Sequence, residues 1–376
     1  MSYFVFGPSD CVWHLVLATI NQENSPGKNY SGKGRISPCV FKLNPKARLV
    51  GYPYFGANLA GTLDLTAAQL VVDNPANSYW FASWLSADNG KDYFVMAAVA
   101  SFNATNVMSM VSVADLTEKT YYGTTIFPVG NITIPTGPAN PGPLQVRALT
   151  PDRFSELSVV STLPGTEYNL THVPKGPVLY NGSSGNFIWG TGTTNEFAAP
   201  EMYTTGTLTI GDTVVRVIPE QSMTWFDRQW GFGAATQGWN WYAILLENGV
   251  KLSIWNTNEI EGHPRQSVAT VLYPDGHEEV YPINSDVHAS DPFISSVTNL
   301  TYYGKYNIEI PLKSTSLFVT LPVHAGEMAF DEDPSALTTL FESFATVTGT
   351  FDGESVTGWG LSEMKLEKAV EFLLQV

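Results

Sequence analysis

The feature that most constrains this chain is that it echoes itself. Tyr79-Trp80-Phe81-Ala82-Ser83-Trp84-Leu85 followed by Asp88-Asn89-Gly90 reads as strand, tight turn, strand. Trp239-Asn240-Trp241-Tyr242-Ala243-Ile244-Leu245 followed by Glu247-Asn248-Gly249 has the same plan. Further along each copy comes a second echo, Thr205-Gly206-Thr207-Leu208 in one and Thr348-Gly349-Thr350-Phe351 in the other. A unit that opens with an aromatic hairpin, closes with a Thr-Gly-Thr strand and is used twice implies two related β-barrels or strongly curved sheets in tandem. The 376 residues are enough for two such domains, each with its own core. The expected join lies near Pro219, giving domains 1–218 and 219–376. The Pro/Gly-rich stretch from Pro135 to Pro143 then becomes a long loop inside the first half.

The fold class is all-β. Val, Ile, Thr, Tyr, Phe and Trp are abundant, and turn signals recur at short spacing. Asn-Gly or Asp-Gly pairs end at Gly90, Gly249, Gly276 and Gly353, each between apolar runs. Such pairs mark hairpins because type I′ turns need positive φ. Val12 to Ile20 reads as a further strand. Only Ser335 to Phe344 and Ser362 to Leu374 carry helical spacing, the second as a short C-terminal helix with Met364, Leu366, Ala369, Val370 and Leu373 on one face.

Charge narrows the partners. Lys+Arg number 19 against Asp+Glu 35, a net charge of −16, so a phosphate backbone or an anionic membrane surface is repelled. No run of 18 apolar residues offers a membrane span. The charged fraction is 14% where roughly 25% is usual, and aromatics reach 12%. A barrel so rich in Trp and Tyr and so poor in charge suits a small apolar or aromatic ligand, although any single Trp is more often core than pocket. A monomer is expected.

Compartment rests on cysteines and sequons. Cys11 and Cys39 pair as a disulfide worth roughly 3 kcal/mol, or remain two buried thiols. Asn29, Asn103, Asn131, Asn169, Asn181 and Asn299 begin Asn-x-Ser/Thr sequons, a small excess over chance and candidate glycosylation sites. Gly7, Pro8, Ser9 and Asp10 break up any signal peptide. The expectation is a secretory-pathway protein already processed, with the cytoplasm as alternative.

The most distinctive string is Ser222-Met223-Thr224-Trp225-Phe226-Asp227-Arg228-Gln229-Trp230-Gly231. In an extended strand Trp225, Asp227 and Gln229 share one face, and Phe226, Arg228 and Trp230 the other. A carboxylate and a guanidinium among aromatics need partners, or the Asp pKa must rise. Two readings stand. Asp227 and Arg228 tie the two halves together through buried hydrogen bonds, or they face a pocket and act on a substrate.

Trp225 to Gly231, followed by Trp239-Asn240-Trp241-Tyr242 and the Asn248-Gly249 turn, resembles the carotenoid 1,2-hydratase/AttH-like double-lipocalin superfamily, nearest its fungal kievitone-hydratase-like and Diels–Alderase members. Gly358, Gly360 and Glu363 also fit its C-terminal strand pattern. The resemblance implies two lipocalin-like antiparallel β-barrels with a ligand pocket in or between them, and no metal or organic cofactor.

Absent motifs agree. There is no dinucleotide fingerprint, P-loop or Gly-x-Ser-x-Gly elbow, and Asn181 to Gly185 reads as a turn. The six His are scattered, none at metal-ligand spacing, and His288 reads as a surface imidazole. Asp331, Glu332 and Asp333 read as a solvated loop.

Three functions follow. The first is a cofactor-independent pericyclase of the (hetero-)Diels–Alder type acting on a fungal polyketide or meroterpenoid intermediate. It would fold its substrate in a cavity shaped by Trp80, Trp84, Trp225, Gln229, Trp230, Trp241 and Tyr242, with Asp227 or Arg228 polarising it. The second is a hydratase in which a protonated Asp227 protonates an isoprenoid double bond beside cation-stabilising aromatic faces. The third is a non-catalytic carrier.

Overall fold

A computed structural model describes residues 63–71, 76–101, 107–128, 142–284, 287–335 and 338–366. The Val12–Ile20 strand, Cys11, Cys39, Asn29, Asn103 and Asn131 lie outside the described residues. So does most of the expected C-terminal helix.

A short helix α1 (Leu65–Ala68) leads into the first sheet. Its strands are β1 (Ala76–Ser86), β2 (Asp92–Ser101), β3 (Val107–Asp115), β4 (Thr120–Ile126), β5 (Leu144–Ala148), β6 (Leu157–Ser161), β7 (Tyr168–Pro174), β8 (Leu179–Tyr180), β9 (Asn186–Trp189), β10 (Gly192–Ile210), β11 (Thr213–Arg216) and β12 (Met223–Gly231). The second sheet holds β13 (Trp239–Leu246), β14 (Lys251–Thr257), β15 (Ser267–Leu272), β16 (Glu278–Pro282), β17 (His288–Ile294), β18 (Thr301–Ile310), β19 (Thr315–Thr320), β20 (Glu327–Met328), β21 (Leu340–Phe351) and β22 (Glu354–Lys365).

Both sheets are antiparallel and have one topology. The first runs β4-β3-β2-β1-β12-β10-β7-β6-β5, the second β16-β15-β14-β13-β22-β21-β19-β18-β17. In each, a four-strand meander begins the sheet, and the last long strand returns to pair with the first. Among the described residues no ladder joins the two outermost strands of either sheet, so each is a curled half-barrel. The chain is all-β as expected, and the hairpin turns at Gly90, Gly249, Gly276 and Gly353 all have positive φ.

The repeated Thr-Gly-Thr strands occupy equivalent places, and the glycine explains why. Gly206 in β10 has φ +134° and Gly349 in β21 has φ +146°. A Cβ on Gly206 would lie 2.0 Å from the Asn169 carbonyl oxygen, and one on Gly349 2.1 Å from that of Ser316. At both places the neighbouring strand presses against bare backbone where the sheet curls, and only glycine permits that approach.

Three corrections concern the boundaries. The join is not near Pro219: β12 follows that residue yet pairs with both β1 and β10 of the first sheet. The chain passes between sheets at residues 232–238, because the first half-barrel needs β12 to bridge its two arms. Ser335 to Phe344 is not a helix, since β21 begins at Leu340 and its burial follows strand pairing with β22. Ser362 to Lys365 likewise ends β22 rather than starting a helix.

Three apolar clusters result. One fills the curl of the first sheet, around Tyr79, Phe81, Phe197 and Phe226. One fills the second, around Tyr242, Tyr302, Tyr306 and Phe341. The third lies between the sheets and takes residues from both, including Trp80, Trp84, Trp225, Trp241 and Trp255. Polar ties cross the same gap: Lys251 Nζ meets Glu201 Oε2 at 3.0 Å, and Thr125 Oγ1 donates to the Met328 carbonyl at 2.6 Å.

Candidate active site

A cavity of about 260 Å³ opens between the two sheets. Its floor comes from the middle of the paired strands. In the first sheet Trp80 on β1 lies opposite Asp227 on β12, which lies opposite Ala198 on β10. In the second, Trp241 on β13 lies opposite Glu363 on β22, which lies opposite Glu342 on β21. Asp227 and Glu363 thus hold equivalent positions in equivalent strands, each across from a Trp. The symmetry breaks at the next strand. Where the second sheet has Glu342 the first has Ala198, and its second acid, Glu196, sits one rung outward opposite Gln229.

Strand alternation delivers these side chains as the sequence implies. Trp225 packs in the cluster between the sheets, and Asp227 and Gln229 line the cavity. Phe226 and Trp230 pack in the first sheet's own core. In β10 the register shifts between Ala199 and Met202. Pro200, which has no N–H to give, sits within that irregularity, so the strand bends and its first half stays on the cavity wall.

Four buried carboxyl groups meet here, and each is held by one indole N–H. Trp225 Nε1 donates to Asp227 Oδ2 at 3.0 Å, Trp80 Nε1 to Glu342 Oε1 at 2.7 Å, and Trp255 Nε1 to Glu196 Oε1 at 3.3 Å. Trp239 Nε1 donates to Glu363 Oε1, and Asn181 Nδ2 adds a second donor to Glu196 Oε1. Among the described residues, Asp227 Oδ1, Glu196 Oε2 and Glu342 Oε2 have no hydrogen-bond partner. Glu342 and Glu363 lie opposite each other across the β21–β22 ladder, so their carboxyl groups influence each other.

The electrostatics follow from that crowding. Burial raises the pKa of Asp227 well above the usual range, and the nearby Glu363 charge adds to the rise although Trp225 opposes it. Burial does the same to Glu196, with Asp227 adding to it, and to Glu342, with Glu363 adding to it. Glu363 is raised less, to about 7, since Trp239, Glu342 and Lys365 all favour its ionised form. Burial lowers Lys365 to about 7, against the pull of Glu363. Lys365 Nζ also donates to the Thr339 carbonyl at 2.7 Å. The site at neutral pH is therefore a set of mainly neutral acids, with Glu363 the one that ionises most readily.

The walls are aromatic. Trp241 stacks on Trp255 with centroids 5.2 Å apart and takes the edge of Trp80 at 4.9 Å. Trp189 meets Trp255 at 4.6 Å and Trp239 at 5.1 Å. Met108 and Met110 complete the apolar lining, and Phe127 and the exposed Phe232 stand at its outer end. Among the described residues no three His, Cys, Asp or Glu side chains come together as ligands for one ion.

The sequence-derived candidates divide. Asp227, Gln229, Trp80 and Trp241 line the cavity. Trp225 lies behind Asp227 as its hydrogen-bond donor. Trp84 is bound to the Gly360 carbonyl at 3.2 Å and does not line the cavity. Trp230 and Tyr242 face the two cores instead, because alternation sends them to the other side of their strands. Arg228 needs the largest correction. It is fully buried in the first core, where Nε donates to the Ala68 carbonyl at 2.9 Å and Nη2 to the Leu70 carbonyl and Asn77 Oδ1, both at 2.8 Å. Its guanidinium lies 4.3 Å from the Tyr79 ring centroid. Burial lowers its pKa only to about 10, so it stays charged and ties α1 to β1 rather than facing substrate. Asn181 is also corrected: its amide is buried against Glu196 with no room for a glycan, whereas Asn169 and Asn299 are exposed.

No sequence motif points to Glu196, Glu342, Lys365, Trp189 or Trp255, and Trp239 stands out in the sequence only as the start of the second aromatic hairpin. Glu342 was hidden inside an expected helix. Glu363 had been noticed only within the closing Gly358–Gly360 pattern.

The AttH-like family model matches residues 97–365. The chain belongs to the AttH-like family. This AttH-like protein is 27% identical over 350 residues to the dehydratase asqC of Emericella nidulans, covering 87% of the chain and 97% of the relative. It is 25% identical over 297 residues to kievitone hydratase of Fusarium solani subsp. phaseoli, covering 77% and 82%. Its fold matches the crystal structure of kievitone hydratase from Nectria haematococca with a TM-score of 0.72 at 23% identity, covering 81% of the chain and 95% of that structure. It also matches a putative AttH from Nitrosomonas europaea at TM-score 0.64 and 15% identity, covering 78% and 93%. The double half-barrel is thus the family fold, and both sequence relatives are enzymes, which supports a catalytic role for this chain.

Proposed function

We propose that this AttH-like protein is a hydro-lyase that adds water to, or removes it from, an alkenyl group of a small apolar substrate held between the sheets. The observation that carries this reading is the set of buried neutral acids, each held through one oxygen by an indole while, among the described residues, the other oxygen of Asp227 and of Glu196 has no partner. Protonating an alkene carbon needs an acid that still carries its proton beside an apolar group, and burial supplies a carboxylic acid protonated at neutral pH.

In the hydration direction the Asp227 carboxyl gives its proton to the alkene, whose π pair forms the new C–H bond. A tertiary cation and the Asp227 carboxylate result. The faces of Trp80, Trp241 and Trp255 stabilise that cation by their ring quadrupoles. Water adds to the cation, and Glu363 accepts the proton the water loses. Transfer between the carboxyls restores the starting state. Dehydration runs the same steps backwards, with Glu363 protonating the departing hydroxyl.

The pericyclic reading draws on the same aromatic walls. It gives no role to four acids, since folding a diene against a dienophile needs shape and one or two donors. A carrier gives them no role either. The test is Asp227→Asn with oxygen-labelled water. The proposal expects label in the hydrated product of the wild-type protein and loss of nearly all turnover in the folded variant. Turnover without label exchange, undiminished in Asp227→Asn, supports the cyclase, and ligand returned unchanged supports the carrier.

A further inference from the structure

The cavity is graded in depth. Asp227 sits at the floor opposite Trp80, Gln229 one rung outward opposite Ser78, and Gly231 a further rung out opposite Ala76. At roughly 3.3 Å per residue along a strand, the Gln229 rung lies roughly 7 Å outward from the Asp227 rung. The residues paired on that outer rung each carry a buried polar atom without a partner among the described residues. Among the described residues, Gln229 Nε2 is buried with no hydrogen-bond acceptor, and Glu196 Oε2, on the residue directly across the ladder, is buried with no partner. The second Glu196 oxygen is already taken by Trp255 and Asn181. A Glu196 that keeps its proton presents that proton on Oε2, so the rung offers the cavity an N–H donor from Gln229 and an O–H donor from Glu196. Leaving such groups unpaired is costly, and both residues line the cavity.

We propose that Gln229 and Glu196 form a two-donor notch that holds a carbonyl oxygen of the substrate, fixing the alkenyl group over Asp227. The two donors match the two lone pairs of one carbonyl oxygen. The substrate is then an unsaturated ketone, ester or amide whose carbonyl stands a few bonds from the reacting carbon. Gln229 and Glu196 are specificity-determining residues, while Asp227 does the proton transfer. The notch rests on the cavity being the substrate site of the proposed hydro-lyase.

The test uses a matched pair of probes. Sulcatone is a methyl ketone with a trisubstituted alkene, and its methylene isostere carries CH2 in place of the carbonyl oxygen. Both are titrated against the intact protein by quenching of its Trp fluorescence. The wild-type protein is expected to bind sulcatone about tenfold more tightly than the isostere. Gln229→Met should shrink that preference to about twofold or less, whereas Asp227→Asn should preserve it. Glu196→Gln keeps a donor and should retain part of it. Equal binding of the two probes by the wild-type protein, binding of neither, or a preference that survives Gln229→Met overturns the notch. Because the wild-type comparison needs no variant, a misfolded mutant does not remove the test. Equal binding together with acid-dependent hydration of the isostere would end the notch and leave the hydro-lyase standing. A Gln229-dependent ketone preference without deuterium uptake from heavy water would do the reverse.

Discussion

The indole N–H of Trp80, on the first sheet, donates to Glu342 Oε1, on the second, at 2.7 Å. One bond therefore joins the two halves and satisfies half of a buried acid. Trp80→Phe keeps most of the ring and deletes the donor, leaving Glu342 without an N–H partner. Its stability should drop by about 1–3 kcal/mol, read from denaturant melts with an unchanged m-value. A variant as stable as the parent would show that the bond is not made.

Arg228 should behave as a structural residue. Arg228→Met removes the donors to the Ala68 and Leu70 carbonyls and to Asn77 Oδ1 in the first core. The expected cost is about 3 kcal/mol or more, with turnover per folded molecule nearly unchanged. A kinetic defect in a protein of parental stability would restore Arg228 to the site.

Period-two alternation is local, so the sequence alone puts Trp225, Asp227 and Gln229 on one face of β12 and Arg228 on the other. Which face looks into a cavity depends on which sheet lies opposite, and that is non-local. Arg228 and Tyr242 were therefore named for a site they do not reach. Pro219 looked like a boundary because Pro interrupts a strand, yet pairing of β12 with β1 carries the first sheet beyond it. Glu342 sat in a segment whose apolar spacing also fits a helix, and only pairing with Glu363 decides for a strand. The doubled fold is legible because hairpin turns are set by neighbours in sequence and because the Thr-Gly-Thr strand recurs in both halves. The acid cluster was not, because its members come from four strands.

The curl glycines should be equally intolerant in both halves. Gly206→Ala and Gly349→Ala each place a methyl group against a carbonyl oxygen at a φ that L-residues avoid. Each should lower stability by about 2–4 kcal/mol. Gly211→Ala makes a useful control, because nothing lies within 4 Å of its Cβ although its φ is also positive. It should cost less than either curl variant, and equal losses at all three would show that backbone strain rather than the close approach matters.

Stability should fall as the pH is raised through neutrality. Glu363 titrates at about 7 in the folded chain against an ordinary value of 4.5. Between those values the folded state holds a proton that the unfolded state has released, so stability declines with rising pH. Asp227, Glu196 and Glu342, all raised well above their usual range, extend the fall above pH 7. His172, lowered to about 3 by burial, works the other way below about pH 6.5 and offsets one carboxyl. Lys365, at about 7, adds stability only above that pH. Glu363→Gln should flatten the decline between about pH 5 and pH 7 by on the order of 3 kcal/mol. Denaturant melts across that window check it, and a parallel curve for the variant would place the titration elsewhere.

The last expectation concerns the cavity wall. Trp241 is 2% exposed, stacks on Trp255, and its Nε1 donates to Ser253 Oγ at 2.9 Å. If the reaction passes through a cation, its π face matters more than its N–H. Trp241→Phe keeps a face and should cut turnover only a few-fold, whereas Trp241→Leu removes it and should cost about 10–30-fold, the equivalent of a cation–π contact near 2 kcal/mol. Both variants lose the bond to Ser253 and some packing, so their melting temperatures should fall together while their rates diverge. Equal rates for the two would mean that Trp241 only fills space, and the proton-transfer route would then have to form its cation without aromatic support.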